Sequence, residues 1–231
     1  HWEYKERIPE SWTIRYRNLR FKVSPTGFKH TGLFPEQAAN WDFLMDQIEQ
    51  AHREIRVLNL FAYTGGATMA CAAAGAKEVV HVDAAKGMVQ WAKENMVLSH
   101  LEDRKIRFIV DDVLKFVERE KRRGRTYHGI IMDPPSYGRG PKGEIWKIEE
   151  QLYPLVSACM DILDEQPLFF LINSYTTGFP ASVLQNILNT TVKKRHPQGR
   201  IEAGEIGLPI TGSDMVLPCG IYGRWVHDPN A

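Results

Sequence analysis

Between residues 55 and 189 the chain repeats one pattern, a short apolar run followed by a helical stretch. Ile55–Phe61, Glu78–Val82, Ile106–Val110, Gly129–Met132 and Leu168–Ile172 read as buried strands, short and rich in branched aliphatic residues. Between them lie a small-residue helix over Ala67–Ala74 closed by Gly75, and a helix running to about Ser99 with Met88, Trp91 and Ala92 on one side. Val113, Phe116 and Val117 mark a third helix, Ile148 to about Leu163 a fourth, and Ala181–Asn189 a fifth. Strands alternating with helices imply a parallel sheet covered on both faces through right-handed crossovers. Arg200–Gly207 and Gly220–Val226 follow with no helix between them, as an antiparallel hairpin would. The expected fold is therefore α/β, a doubly wound and mostly parallel seven-stranded sheet.

The chain ahead of that alternation differs. Trp12–Arg17 and Leu19–Val23 read as two short strands, with Pro25-Thr26-Gly27 as a turn. Over residues 1–30 there are seven Lys/Arg against three Glu, interleaved with Trp and Tyr. Two readings follow: a nucleic-acid-facing edge with stacking platforms, or an edge hairpin kept apart from other chains by its cations. Pro35 then opens a helix with Trp41, Leu44, Met45 and Ile48 on one face. The expected organisation is a β-hairpin extension over 1–34 and one catalytic-size domain over 35–231. The chain starts at His1 rather than at a methionine, which leaves room for a preceding domain.

Composition excludes several classes. Hydrophobic residues at 43% and charged residues at 25% belong to an ordinary globular protein, and a net charge of +1 gives no bulk argument for nucleic acid. Cys71, Cys159 and Cys219 are widely spaced, without C-x-x-C or paired histidines, so neither a metal site nor a disulfide framework is expected. No apolar run is long enough to cross a bilayer, and the expected compartment is the cytoplasm.

Ligands of such sheets bind outside the carboxyl ends of the strands. The first strand leads into Phe61-Ala62-Tyr63-Thr64-Gly65-Gly66-Ala67, where paired glycines let the backbone approach a ligand and aim N–H groups at an anion; the alternative is a tight turn. Asp83 ends the second strand, eighteen residues past Gly65, placed to accept ribose hydroxyls or to cap the next helix. Asp111-Asp112 ends the third, and one of the two is free for an adenine amino group if the other caps. Asp133-Pro134-Pro135-Ser136-Tyr137 ends the fourth. Two prolines fix the backbone, remove donors and leave carbonyls. An aspartate, a proline carbonyl and a ring then make a slot for a flat group bearing an N–H.

Taken together, Leu58–Gly66, Val82-Asp83, Asp111-Asp112-Val113 and Asp133-Pro134-Pro135 resemble the class I S-adenosylmethionine-dependent methyltransferases. Within these they are most similar to the bacterial ribosomal-RNA methyltransferase group of RlmI and RlmK. Gly32–Gln37 resembles the segment leading into that group's catalytic domain, and the likeness covers roughly residues 30–175. It implies S-adenosylmethionine as cofactor. Phe61, Tyr63, Thr64, Gly65 and Gly66 would lie along the methionine moiety, with Gln37 toward its carboxylate. Asp83 would hold the ribose and Asp112 the adenine. Asp133 and Pro134 would flank the transferring methyl, with Tyr137 against the acceptor.

One departure bears on the chemistry. The fifth strand ends in Asn173-Ser174-Tyr175, where the cytosine-modifying members carry a cysteine. Carbon 5 of cytosine becomes nucleophilic only after a thiolate adds to the ring, so transfer to a nitrogen of an RNA base is the expectation. The Gly138–Gly143 stretch reads as a basic, flexible substrate-gripping lid or a solvated loop. The alternatives are a small-molecule methyltransferase and a nicotinamide-dependent oxidoreductase, though Thr64-Gly65-Gly66-Ala67 lacks the latter's G-x-G-x-x-G.

Overall fold

A computed structural model describes residues 2–27, 29–140, 142–228 and 230. It begins with a hairpin, β1 (Trp12–Tyr16) and β2 (Leu19–Val23), then a 3-10 turn at Pro35–Gln37 and α1 (Ala38–Gln50). The alternating region holds β3 (Arg56–Leu60), α2 (Gly66–Ala73), β4 (Glu78–Asp83), α3 (Lys86–Leu98), β5 (Ile106–Val110), α4 (Val113–Arg122) and β6 (Gly129–Met132). After it come β7 (Tyr137–Arg139), β8 (Ile145–Lys147), α5 (Ile148–Cys159), β9 (Phe169–Ser174), α6 (Ala181–Leu188), β10 (Gly199–Pro209) and β11 (Val216–His227).

Seven strands form one sheet in the order β10-β11-β9-β6-β3-β4-β5. Only β11 runs against its neighbours. The chain winds outward from β3 in both directions, so the strand order reverses between β3 and β6 and opens a crevice above their carboxyl ends.

Alternate residues of these strands feed two core layers, as the two-residue period of a strand requires. Leu58, Leu60, Val80 and Val82 join α4, α5 and α6 on one face, where Phe116 and Phe170 are fully buried. Val57, Val79 and Phe169 join α1, α2 and the β2 side chains Leu19 and Phe21 on the other. Each large side chain buried this way contributes about 1.5–3 kcal/mol.

The β1–β2 hairpin stands outside the sheet and packs on α3. Trp91, Asn95 and Ser99, spaced at four-residue intervals on one helix face, pair with the β2 backbone. Trp91 Nε1 donates to Lys22 O (3.1 Å), Asn95 Oδ1 accepts from Lys22 N (2.9 Å), and Ser99 Oγ bonds both N and O of Arg20 (2.9 Å each). Side chains thus satisfy the edge that a sheet would otherwise cover.

Two expectations change. The stretch after β6 is a β7–β8 hairpin rather than a loop; Pro141 lies outside the described residues. The fourth helix stops at Cys159 instead of near Leu163. Its apolar continuation is buried by bridging to Tyr127, whose N donates to Ile162 O (2.9 Å).

Candidate active site

The crevice above β3 is shaped by an unusual backbone. Phe61 and Tyr63 hold φ of +52° each, and Gly65 +85°. Left-handed conformations in two aromatic residues cost about 1 kcal/mol or more apiece and persist only where the surroundings enforce them. Here Ala62 N donates to Val82 O (3.0 Å) and Gly65 N to Ala62 O (3.0 Å), while Tyr63 N donates to Asp83 Oδ2 (2.9 Å). Thr64 is pinned at both ends: its hydroxyl donates to Gly32 O (2.6 Å) and its carbonyl accepts from Asn95 Nδ2 (2.9 Å). The loop delivers the chain into α2, whose first helical bond is Met69 N to Gly65 O. Gly66 and Ala67 line the crevice, and their N–H groups, in the first turn of α2, have no intrahelical acceptors, as at any helix start that can meet an anion. The paired glycines answer different needs. Gly65 supplies the left-handed turn, whereas a Cβ on Gly66 would lie 2.7 Å from the Trp41 ring.

Phe34, Gln37, Trp41, Phe61, Tyr63 and Asp133 line the cleft. Gln37 is held from both ends: Nε2 donates to the Tyr175 hydroxyl (2.8 Å), and Oε1 accepts from Asn40 Nδ2 (3.0 Å). Asn40 Nδ2 also donates to Asn173 Oδ1 (2.8 Å) at the end of β9. Phe34 stacks between Tyr63 and Tyr175, at 5.4 and 5.7 Å between centroids. Glu36, Asn40, Asn173 and Tyr175 were missed from sequence. The spacing of Gln37 and Asn40 on one helical face was the available signal, and Asn173 at a strand end was another.

Electrostatically the cleft is unusual. Desolvation, aided by the neighbouring Glu36 carboxylate, pushes Asp133 up to about 7. Burial also raises Asp83, against bonds from the N–H groups of Ala85 and Tyr63. Glu36, Asp83 and Asp133 make no ion pair among the described residues. Three carboxylates short of cations fit a cationic ligand and disfavour a pyrophosphate.

The residues after β6 divide their roles. Among the described residues, Pro134 O accepts no hydrogen bond, while Pro135 O is taken by Trp146 Nε1 (2.7 Å), whose ring packs edge-on against Phe61 (4.8 Å). Tyr137, expected against the acceptor, does not line the cleft; it stands in β7, 52% exposed. Asp112 caps α4 by accepting from Lys115 N (3.0 Å) through Oδ1, and Asp111 is paired with Arg119. Asp83 is not the cap of α3, which is Ala85. Cys71 and Cys159 are fully buried with thiol pKa values pushed up by desolvation. Cys219 lies within β11 rather than before it, and its thiol is also raised, by desolvation and by Glu36. None is poised as a thiolate.

The strand order, the crevice at the order reversal and carboxylates without cationic partners beside the start of α2 define a doubly wound fold whose cleft fits a ligand that brings its own positive charge. A model of S-adenosylmethionine-dependent methyltransferases matches residues 1–149, and the chain belongs to that family. It is 31% identical over 159 residues to the ribosomal RNA large subunit methyltransferase K/L of Shewanella frigidimarina, covering 68% of this chain and 21% of that protein. The enzyme of the same name from Shewanella oneidensis is 34% identical over 139 residues, covering 60% and 18%. The chain thus spans about a fifth of the length of these curated relatives. The solved methyltransferase of Agrobacterium tumefaciens is 38% identical with a TM-score of 0.91, covering 98% of this chain and 72% of that one.

S-adenosylmethionine is the cofactor, and its sulfonium carbon supplies a methyl group already activated for transfer. The nicotinamide alternative falls with the family assignment. No helix among the described residues is long and apolar enough to cross a membrane. No group of three or more His, Cys, Asp or Glu among them could hold a metal ion.

Proposed function

We propose that this chain methylates a nitrogen of a base in RNA, ribosomal RNA first, in the cytoplasm. The observation that carries the reading is Asp133, which lines the cleft with its carboxyl unpaired, followed in the chain by Pro134, whose carbonyl accepts no hydrogen bond among the described residues, in a cleft with no available thiolate. A base amino N–H donates to these oxygens, which orients the nitrogen lone pair at the methyl carbon; as the methyl–sulfur bond breaks to release S-adenosylhomocysteine, the methylated nitrogen gives that proton to Asp133. In-line approach at about 3–3.5 Å needs positioning more than a strong base. The ionised Asp133 holds the N–H during attack and stabilises the positive charge that develops on nitrogen. Gly66 and Ala67 N–H groups hold the methionine carboxylate, Asp83 the ribose and Asp112 Oδ2 the adenine. Gln37, fixed by Asn40 and Tyr175, sets the wall beside them. The names of the Shewanella relatives support ribosomal RNA as the substrate class. Nucleoside mass spectrometry of RNA from a strain lacking this gene tests the proposal. One N-methylated nucleoside is expected to be missing; loss of 5-methylcytidine, or an unchanged nucleoside profile, would contradict it.

A further inference from the structure

We propose that the outer face of the β7–β8 hairpin grips the single-stranded RNA flanking the target base, an inference that rests on the RNA reading above. Register places its residues. Tyr137 opposes Lys147 and Arg139 opposes Ile145, so these four side chains share one face, while Gly138 and Trp146 share the other. Burial follows the register: Tyr137 and Ile145 are each 52% exposed, and Trp146 only 7%.

Two strands of three residues have no stability of their own. This ribbon is held by its inner face, through Trp146 bonded to Pro135 O and packed on Phe61. Ile148 N also donates to Ser136 O (3.1 Å), and Ser136 Oγ lies 2.7 Å from Thr176 Oγ1. The contacts that anchor the ribbon are therefore the contacts that shape the slot. Its outer face begins at Tyr137, four residues along the chain from Asp133.

That face joins a ring and an aliphatic side chain to two cations. The ribbon's own carboxylate, Glu144, is occupied by Lys115 and by the amide of Lys142 (2.9 Å). Arg139 has no acidic partner among the described residues, and Lys147 shares Glu150 with solvent. A ring that stacks an unpaired base beside cations that meet its phosphates is the chemistry of single-strand binding. Tyr137 thus holds a neighbour of the target base rather than the target base itself.

Photocrosslinking tests this with the full chain, S-adenosylhomocysteine and an unmethylated large-subunit ribosomal RNA transcript containing 4-thiouridine. Adducts mapped by mass spectrometry are expected within residues 137–147. Adducts confined to the other exposed aromatic surface, residues 2–14, would overturn the assignment while leaving RNA as substrate. Absence of both adducts and RNA binding would overturn the RNA reading as well. For the same transcript, Arg139→Gln with Lys147→Gln should weaken binding at least tenfold. The log–log salt dependence should become shallower by about 1.4, at about 0.7 per lost single-strand phosphate contact. Tyr137→Ala should weaken binding about five- to a hundredfold through lost stacking. All these variants should bind S-adenosylmethionine within twofold of the parent. RNA affinity unchanged in both, with parent binding intact, would place the grip elsewhere.

Discussion

The two ends of the central sheet both hold carboxylates, fully buried at the amino end and, for Asp83 and Asp133, half-buried at the carboxyl end, and they treat them in opposite ways. At the amino end Glu120 is fully buried and Glu78 is 2% exposed, yet each is surrounded by partners. Arg123 reaches Glu120 at 3.0 Å, Arg125 bridges both acids, Lys105 reaches Glu78 at 3.1 Å, and the Tyr127 hydroxyl donates to Glu120. At the carboxyl end Asp133, Asp83 and Glu36 have no such cations, and Asp133 is left with a pKa of about 7. Paired burial builds structure; unpaired burial beside strained backbone marks where a ligand supplies the missing charge.

The largest effect should come from breaking the paired end. Glu120→Ala leaves the buried Tyr127 hydroxyl without its acceptor and opens a cavity, while Arg125 keeps Glu78 and Arg123 reaches solvent, and it should destabilise the fold by about 3 kcal/mol in chemical denaturation. Cofactor affinity measured on the remaining folded protein should not change. Asp133→Ala should do the reverse, lowering turnover a hundredfold or more, about 2.7 kcal/mol, with no loss of stability and little change in cofactor affinity. A destabilised Asp133→Ala protein would break the contrast.

Its pH dependence sharpens the point. Folding lifts Asp133 from 3.8 to about 7, so the folded state favours the neutral acid. The contribution to stability is complete below pH about 4 and is lost as pH rises through 7. Asp133→Asn should therefore gain stability over the parent at pH 8 and match it at pH 4. Because the ionised form holds the acceptor, parental kcat/KM should rise with pH around 7, and that limb should vanish in the variant. Asp83→Ala should cost about 1.5–3 kcal/mol of cofactor affinity, ten- to a hundredfold by calorimetry; an unchanged affinity would leave Asp83 as a loop clamp for Tyr63 and Ala85 only. The smallest effect is expected from the cysteines. Replacing Cys71, Cys159 and Cys219 together should lower stability by about 1 kcal/mol per buried site through packing and spare most of the turnover.

The contrast also explains what was legible in the sequence. Strands β5 and β6 match their expected bounds, because a buried strand writes itself as a short apolar run between polar breaks. Gly65, Asp83 and Asp133-Pro134-Pro135 were legible because each carries its own backbone or charge meaning at a strand end. The wall of the cleft was not. Gln37 and Tyr175 meet across 138 residues of sequence, and neither the spacing of Asn40 from Gln37 nor the strand-end place of Asn173 names a partner so far away. The β7–β8 ribbon was hidden for a similar reason: three-residue strands show no period, and their anchor is one indole reaching back to Pro135. Tyr137 was misplaced because its distance along the chain from Asp133 says nothing about which face of that ribbon it occupies.

The central claim is methyl transfer to nitrogen in a slot made by Asp133 and Pro134. Its most direct test uses purified chain, labelled S-adenosylmethionine and ribosomal RNA from a strain lacking this gene, with the product digested to nucleosides. Label is expected in one N-methylated nucleoside, absent with Asp133→Ala and present in the cysteine-free variant. Label in 5-methylcytidine, with a covalent complex trapped by 5-fluorocytosine-containing RNA, would contradict it.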